Sequence, residues 1–143
     1  MTVKNLNKLN VKEILALYEG NFNDGWTESM LNSGFDGGRL KALGVYDGDK
    51  LIGIITFSLS LDDADIEGIV VASDYRKRGI GALLMQSAHD FILKSQIKSV
   101  LLEVRESNIS AISLYKKFGY EQISLRKKYY DDGENALVFK KEL

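Results

Sequence analysis

The segment from Ile69 to Leu84, IVVASDYRKRGIGALL, constrains the fold of this chain more than any other stretch. An apolar run typical of a β-strand, residues 69–71, is followed by a short polar turn. From Ile80 onwards, apolar residues recur at the spacing of an amphipathic helix. The sequence therefore predicts a strand-to-helix junction, with a cationic, glycine-containing turn between the two elements.

The cationic turn, residues 76–82, predicts a phosphate or pyrophosphate site. A helix N-terminus leaves backbone N–H groups unpaired and carries a partial positive charge, so it attracts anions. Gly79 and Gly81 allow the backbone to approach an anion closely, and Arg76 and Arg78 can add bidentate contacts. The alternative is a solvated basic turn, although basic residues usually favour the other end of a helix. Neither the Walker A pattern nor a complete G-x-G-x-x-G is present.

Composition limits the classes of function that are open to the chain. Its 143 residues predict a single domain, 1–143, and a net charge of −1 does not indicate a nucleic-acid or membrane surface. The chain has no cysteine and one histidine, His89, so no disulfide and no metal site are expected. It has no apolar run of transmembrane length and no basic-then-apolar signal pattern, which makes a cytoplasmic protein the default expectation.

The rest of the sequence predicts an α/β fold. Helices are predicted at 11–18, at 27–33, from 80 onwards and after the cap Ser107-Asn108, and strands at 40–46, 51–61, 66–71, 98–104, 120–128 and 136–140. Gly20 and Gly34 are expected to end the first two helices, with a turn at 21–25 and a loop at 35–39. Gly53 indicates a bulge or a close backbone approach, and the run at 98–104 indicates a strand buried on both faces. Because strands and helices are interleaved, we expect a mixed sheet with helices on both faces.

Two residues with apolar neighbours are candidates for acid–base chemistry. Glu103 lies at the end of a predicted buried strand, where partial desolvation would make its carboxylate a better proton acceptor. The alternative for Glu103 is an ion pair with Arg76, Arg78 or Arg105. Tyr115 lies on the apolar face of the following helix, and the alternative there is a core tyrosine with a hydrogen-bonded hydroxyl.

Several of these segments together resemble the GCN5-related N-acetyltransferases. The turn R-x-x-G-x-G-A, which begins at Arg76, is similar to the acetyl-CoA pyrophosphate loop of that family. LEVRESNISAISLYKKFGY from Leu102, YYDDGENALVF from Tyr129 and GWTE from Gly25 resemble its ribosomal-protein alanine acetyltransferase (RimI-type) subgroup, which has proline where this chain has Gly25. The resemblance covers nearly the whole chain. It implies a mixed, mostly antiparallel twisted sheet flanked by about four helices.

The resemblance also implies roles for individual residues. Glu103 would be the general base, acting through water, and Tyr115 would lie near the thioester sulfur and protonate the leaving thiolate. Asn108 would contact the pantetheine arm or an ordered water. The implied cofactor-binding residues are Ile69, Val70, Val71, Arg76, Lys77, Arg78, Gly79, Ile80, Gly81, Ala82, Asn108 and Tyr115.

The implied activity is direct transfer of acetyl from acetyl-CoA to a primary amine, with a peptide N-terminal α-amine as the expected acceptor. An α-amine, with a pKa of about 8, is easier to deprotonate at neutral pH than a lysine, by roughly 3 kcal/mol. The expected partners are acetyl-CoA and the acceptor, with no nucleic acid, membrane or metal, and the expected state is a monomer or homodimer.

Two other activities remain open at this point. The first is acetylation of a small amine, such as a polyamine, amino acid or aminoglycoside, for which Asp62, Asp63, Asp65 and Glu67 would supply an acidic cleft. The second is a non-catalytic acyl-CoA sensor on the same fold. Gly68 stands where the subgroup often has asparagine, so the acceptor side is expected to differ from that of the subgroup.

Overall fold

The computed structural model describes residues 1–21 and 26–143, and in these residues it shows a seven-stranded sheet and four α-helices. The strands are β1 Thr2–Leu6, β2 Leu40–Asp47, β3 Lys50–Leu59, β4 Asp63–Val71, β5 Ser99–Arg105, β6 Glu121–Arg126 and β7 Ala136–Glu142. The helices are α1 Val11–Asn21, α2 Glu28–Asp36, α3 Ile80–Lys94 and α4 Ile109–Lys117, with short 3₁₀ turns at Lys8–Asn10 and Ser73–Tyr75.

The strand order is β1-β2-β3-β4-β5-β7-β6. Every neighbouring pair is antiparallel except β4 and β5, which are parallel and are joined through α3. A parallel pair requires such a crossover, whereas the antiparallel pairs β2–β3 and β6–β7 follow each other along the chain. The predicted mixed, mostly antiparallel sheet with about four helices is therefore confirmed.

The core consists of two apolar clusters, one on each face of the sheet. On one face, Leu84 and Ile92 of α3 pack with Phe57 and Phe139, and all four side chains are fully buried. On the other face, α1 and α2 cover a second cluster that includes Val70. The two faces thus separate α3 and α4 from α1 and α2.

The expectation that Gly20 and Gly34 end the first two helices was wrong for both. Helix α1 continues past Gly20 to Asn21, whose side-chain amide donates to the Leu17 carbonyl and satisfies the last turn. Helix α2 continues past Gly34, where a Cβ would lie 2.9 Å from Leu40 Cβ, so this glycine allows close packing of α2 on the sheet. The predicted loop at 35–39 therefore starts only after Asp36. Residues 22–25, which include most of the predicted turn and Gly25 of the GWTE motif, lie outside the described residues.

Strand β1 is an element that the sequence patterns did not predict. Only Leu6 of its five residues is buried, so the alternation that marks a strand is weak. It forms one edge of the sheet and is held by its register against β2.

The structure shows both features that were expected as alternatives at Gly53, a bulge and a close approach to the backbone. The β2–β3 register shifts next to it, and a Cβ there would lie 2.9 Å from Ile80 Cγ2 at the start of α3.

Candidate active site

The sheet opens between β4 and β5, beyond the point where their parallel ladder ends. Their parallel pairing begins at Asp63 and Ser99 and ends at Ile66 and Leu102. At that point Glu67 is an extra residue in β4, because Ile66 pairs with Phe57 whereas Gly68 pairs with Thr56. Beyond the bulge the two strands no longer pair, which leaves an opening through the sheet.

The free edge of β4 carries backbone groups that β3 does not use. The Ala72 N–H donates to the Ile52 carbonyl at 2.8 Å, so Ala72 belongs to a hydrogen-bonded pair. Because bonded and non-bonded pairs alternate along an antiparallel ladder, Val70 is bonded to β3 while Ile69 and Val71 point their N–H and C=O groups into the opening. The Val71 carbonyl accepts from Arg76 Nε at 3.2 Å.

The turn before α3 has the conformation that close anion approach requires. Lys77 and Gly79 both have left-handed backbone angles, with φ of 62° and 81°. Gly79 is the N-cap of α3 and offers no side-chain cap, and the first described helical bond runs from the Leu83 N–H to the Gly79 carbonyl. The N–H groups of the first turn, residues 80–82, are therefore directed at the space in front of the helix.

A groove of about 950 Å³ runs from this turn to α4. Its walls bring together most of the predicted cofactor residues with residues of α4 that the sequence did not single out. The lining residues relevant here are Ile69, Val70, Val71, Arg76, Lys77, Gly79, Ile80, Gly81, Ala82, Asn108, Ala111 and Leu114. Arg78 and Tyr115 are the exceptions among the predicted residues. The Arg78 guanidinium lies 5.2 Å from the Tyr75 ring centroid, and neither residue belongs to the described lining of the groove.

A narrow passage of about 110 Å³ leads from the groove through the opening. Glu103 of β5 and Tyr115 of α4 both line it, together with Asn108. Asn108 caps α4 as predicted, with its side-chain oxygen accepting from the Ala111 N–H at 3.2 Å. The structure thus brings together the two candidate acid–base residues at the junction between the groove and the opposite face of the sheet.

Tyr115 has the environment of a hydroxyl that stays protonated. Its side chain is 5% exposed, and burial raises its pKa above the ordinary tyrosine value, with a further contribution from Tyr130. Its ring also packs at 6.0 Å from that of Tyr120, whose hydroxyl is bonded to His89 at 2.7 Å. Tyr115 is therefore a core residue that also lines the passage.

On the far side, the passage opens into a cleft of about 800 Å³ that is lined mainly by β4, β5, β6 and the loop between β6 and β7. One wall is the outward face of β5, with Leu101, Glu103 and Arg105, while Val100, Leu102 and Val104 are buried on the other face. The prediction that this strand is buried on both faces was therefore wrong. Its near-continuous apolar sequence serves the core on one side and the cleft on the other.

Glu103 forms an ion pair across this cleft. Its carboxylate lies 3.4 Å from Arg126 Nε of β6, with the two side chains 28% and 56% exposed. The Tyr129 hydroxyl is close enough to the same carboxylate for the pKa of Tyr129 to be raised. An ion pair was expected as one alternative for Glu103, but the partner is none of the three arginines considered.

The loop between β6 and β7 is fixed against β5, and this holds its two tyrosines over the cleft. Arg105 Nη1 contacts Asp132 at 2.7 Å and Glu134 at 3.2 Å, and its guanidinium lies 4.0 Å from the Tyr130 ring centroid. Glu134 also accepts from the backbone N–H and the hydroxyl of Ser107. A hydrogen bond from the Glu134 N–H and then Arg105 lower the pKa of Asp132, whereas Ser107 and then Arg105 lower the pKa of Glu134, so both carboxylates stay ionised and keep the loop attached.

The cleft carries more acidic groups than the rest of the site. Asp65 and Glu67 line it, whereas Asp62 and Asp63 are not among its described lining residues. Burial and the neighbouring carboxylates raise the pKa of Asp65. Glu67 pairs with Arg39 at 3.0 Å. The acidic stretch predicted from the sequence therefore contributes two of its four members to the cleft.

Sequence reasoning missed Tyr18, which lines the passage. No local pattern marks Tyr18 as a site residue, because its spacing on α1 is that of an ordinary core residue. Trp26, Glu67 and Tyr130 also line the passage, and the sequence had set them apart, Trp26 as a core or pocket-lining residue, Glu67 in the acidic stretch and Tyr130 as sheet packing or an aromatic clamp.

The described residues contain no helix long and apolar enough to cross a membrane. The same part of the chain contains no group of three or more histidine, aspartate or glutamate side chains that could hold a metal ion.

The comparisons with known proteins agree on one family. The family model "Acetyltransferase (GNAT) family" matches residues 11–120. The ribosomal protein bS18-alanine N-acetyltransferase of Escherichia coli (strain K12) is 30% identical over 116 residues, which is 79% of this chain and 78% of that protein. A Bacillus subtilis (strain 168) relative, provisionally named for the same activity, is 30% identical over 138 residues, which is 95% of this chain and 91% of its own.

Solved structures agree with the sequence comparisons. The crystal structure of the ribosomal-protein-S18-alanine N-acetyltransferase from Escherichia coli superposes with a TM-score of 0.90 at 26% identity, covering 99% of this chain and 92% of that one. An Arabidopsis thaliana NAA60 structure in complex with acetyl-CoA, at 18% identity and a TM-score of 0.86, shares the fold. With the family model, the relatives and the split sheet in agreement, the chain belongs to the GNAT acetyltransferases and is an acetyl-CoA-dependent N-acetyltransferase.

Proposed function

We propose that this enzyme acetylates the α-amino group of a protein N-terminus of the ribosomal-protein type. The observation that carries the proposal is the passage through the sheet, because it joins a groove suited to the cofactor to a separate cleft open to a protein chain. The names of the relatives support the same acceptor class. No observation favours a small amine or a sensor over this activity.

The groove residues fit acetyl-CoA, which supplies the acetyl group as an activated thioester. The N–H groups of residues 80–82, the Lys77 side chain and Arg76 would hold the pyrophosphate. The free N–H and C=O of Ile69 and the free N–H of Val71 would bond to the pantetheine arm in the manner of an added strand. Asn108 Nδ2 is available to the same arm, since the cap uses only the side-chain oxygen.

Glu103 and Tyr115 would carry the proton transfers. Glu103 accepts the proton that the amine nitrogen loses as this atom forms its bond to the acetyl carbon. Tyr115 supplies a proton to the sulfur as the carbon–sulfur bond breaks, and its raised pKa keeps the hydroxyl protonated until then. The chain has no cysteine, and direct transfer between two substrates held in one passage needs no cysteinyl intermediate.

The acidic cleft fits an N-terminal ammonium group. Asp65, Glu67 and Glu103 attract a cation, and an α-amine with a pKa of about 8 loses its proton more easily than a lysine side chain, by roughly 3 kcal/mol. A moderate base such as a carboxylate therefore suits an α-amine better.

The proposal is tested by CoA release from acetyl-CoA with short peptides, including the N-terminus of a ribosomal protein, beside polyamines and free amino acids. We expect turnover on the peptide and none once its α-amine is blocked. Turnover on small amines alone would move the function to metabolite acetylation, and binding of acetyl-CoA without turnover on any amine would favour the sensor.

The assigned residues are tested by Tyr115→Phe and Glu103→Gln, with Glu121→Gln on the exposed edge strand as the matched control. Each active-site variant is expected to lower kcat by about 10²–10⁴-fold, the usual contribution of a general acid or base, with little change in acetyl-CoA affinity. Equal losses of turnover and of acetyl-CoA affinity in Tyr115→Phe would reduce Tyr115 to a packing residue.

A further inference from the structure

The acceptor side of the passage contains a tyrosine hydroxyl that the proposed mechanism does not use. Tyr18 of α1 is 3% exposed and lines the passage beside Gly68. Its hydroxyl faces the Thr56 side chain of β3. Thr56 Oγ1 is fully buried, and the Tyr18 hydroxyl is the polar side-chain group that faces it among the described residues. When Thr56 donates to the Tyr18 oxygen, the Tyr18 proton is left to find an acceptor in the passage, and a buried donor without one costs about 1–3 kcal/mol.

Gly68 lines the passage next to Thr56 and carries no side chain. A Cβ built at Gly68 would find only Thr56 Oγ1 within 4 Å, at 3.6 Å. Position 68 therefore leaves room beside Tyr18 in the passage, whose volume of about 110 Å³ holds a few non-hydrogen atoms. A group that enters here from the acceptor cleft lies next to Tyr18.

The charged side chains that line the passage indicate which chemical group of the acceptor would lie next to Tyr18. On the acceptor side, Glu67 and Glu103 offer carboxylate oxygens, which attract the amine but can only accept hydrogen bonds. A carbonyl oxygen there needs a donor. Burial, with Glu67 adding to it, raises the pKa of Tyr18 to about 12, so its hydroxyl stays protonated and can donate. The other side-chain donors that line the passage are Asn108 and Tyr115, which come from α4 and its cap on the cofactor side, and Trp26, Arg105 and Tyr130, each of which has other interactions.

We propose that the Tyr18 hydroxyl donates a hydrogen bond to the carbonyl oxygen of the first residue of the acceptor. This inference rests on the proposed function and narrows it, because that carbonyl lies two bonds from the α-amine in every peptide and is absent from simple amines. Thr56 can then donate its proton to the Tyr18 oxygen, which satisfies both hydroxyls in one chain of hydrogen bonds. Tyr18 thereby selects a peptide N-terminus over a lysine or polyamine.

The test compares two acceptors in Tyr18→Phe and the wild type. One is a short alanine-initiated peptide, and the other is the same peptide with its first carbonyl replaced by methylene. We expect Tyr18→Phe to lower kcat/KM for the parent peptide by about two- to tenfold, the value of one neutral hydrogen bond, mainly through KM. The methylene peptide is expected to show no difference between the two enzymes, and acetyl-CoA affinity is expected to stay unchanged.

Two further variants separate recognition from packing. Thr56→Val is expected to cause a smaller loss on the parent peptide alone. Tyr46→Phe is the matched control, since Tyr46 packs in the same cluster but its hydroxyl is bonded to Glu13 at 2.5 Å, outside the described lining of the passage. Equal losses on both peptides, or no loss on either, would overturn this inference while leaving the proposed function intact. A wild-type enzyme that acetylates no peptide would overturn the proposed function, and this inference with it.

Discussion

The substitution Arg126→Met removes the positive charge that pairs with the Glu103 carboxylate in the free enzyme. Arg126 Nε lies 3.4 Å from the carboxylate, but the side chains are 56% and 28% exposed, so water screens the pair. Such a pair contributes about 0.2–1 kcal/mol, well below the value for the same distance in a dry interior. At about 1.4 kcal/mol per tenfold, this corresponds to a change of about 1.4- to 5-fold in kcat/KM.

The sign of the change follows from the charge. The guanidinium offsets the negative charge of Glu103 that would attract a cationic acceptor, and it occupies part of the same carboxylate. The kcat/KM of Arg126→Met is therefore expected to rise by this factor, mainly through a lower KM. The charge of the acceptor is the same for both enzymes, so ratios measured with one peptide isolate the effect on the enzyme.

The assay is the initial rate of CoA release at a peptide concentration well below KM, measured across the pH range in which both proteins stay folded. Lys8→Met is the control, because Lys8 is also 56% exposed and pairs with Asp36 at 3.0 Å, and neither residue lines the described cleft. Added salt should bring the kcat/KM values of Arg126→Met and the wild type closer together. A kcat/KM of Arg126→Met that equals the wild-type value or falls below it would refute the reasoning that Arg126 offsets the attraction of Glu103 for the acceptor.

Two other residues give independent predictions. Gly81→Arg is expected to abolish acetyl-CoA binding in a calorimetric titration, because its side chain enters the groove, whereas Gly81→Ala needs only a small shift of Leu114 Cδ2, which lies 3.3 Å from the added Cβ. Retained affinity in Gly81→Arg would contradict the assignment of the pyrophosphate turn. Burial lowers the pKa of His89 from 6.5 to about 4, because the folded protein favours the neutral imidazole. The contribution of neutral His89 to the free energy of unfolding is therefore complete above pH 6.5 and is lost as the pH falls towards 4. The loss is at most about 3 kcal/mol, and urea unfolding of His89→Gln should show a flatter pH dependence over this range, whereas parallel curves would exclude His89 as the cause.

The parts of the fold that were predictable are those whose signals are local. The run before Arg76 and the helical spacing after Ile80 place β4 and α3 correctly, because burial of one strand and one helix face is set by residues close in sequence. The Asn108 cap was predictable for the same reason, since it bonds a backbone group three residues away.

The parts that were missed depend on contacts between distant segments. Arg126 meets Glu103 only because β7 lies between β5 and β6, an order that no local pattern encodes. Strand β1 is fixed by its ladder to β2 rather than by its own propensity. The role of Gly34 likewise depends on Leu40 across the α2–β2 contact, so a rule about helix ends gave the wrong boundary.

The bulge at Glu67 explains why the site forms at this position in the sheet. Side chains alternate along a regular strand, so without an extra residue Gly68 and Val70 would share the face of Ile66. With the bulge, Ile66, Ile69 and Val71 all pack towards α3, while Val70 joins the cluster under α1. The same change in register faces Gly68 towards Thr56 and coincides with the last β4–β5 pair. One additional residue thus ends the parallel ladder, keeps the apolar residues of β4 in the core and leaves a gap in the strand beside Tyr18, where the acceptor can reach the cofactor groove.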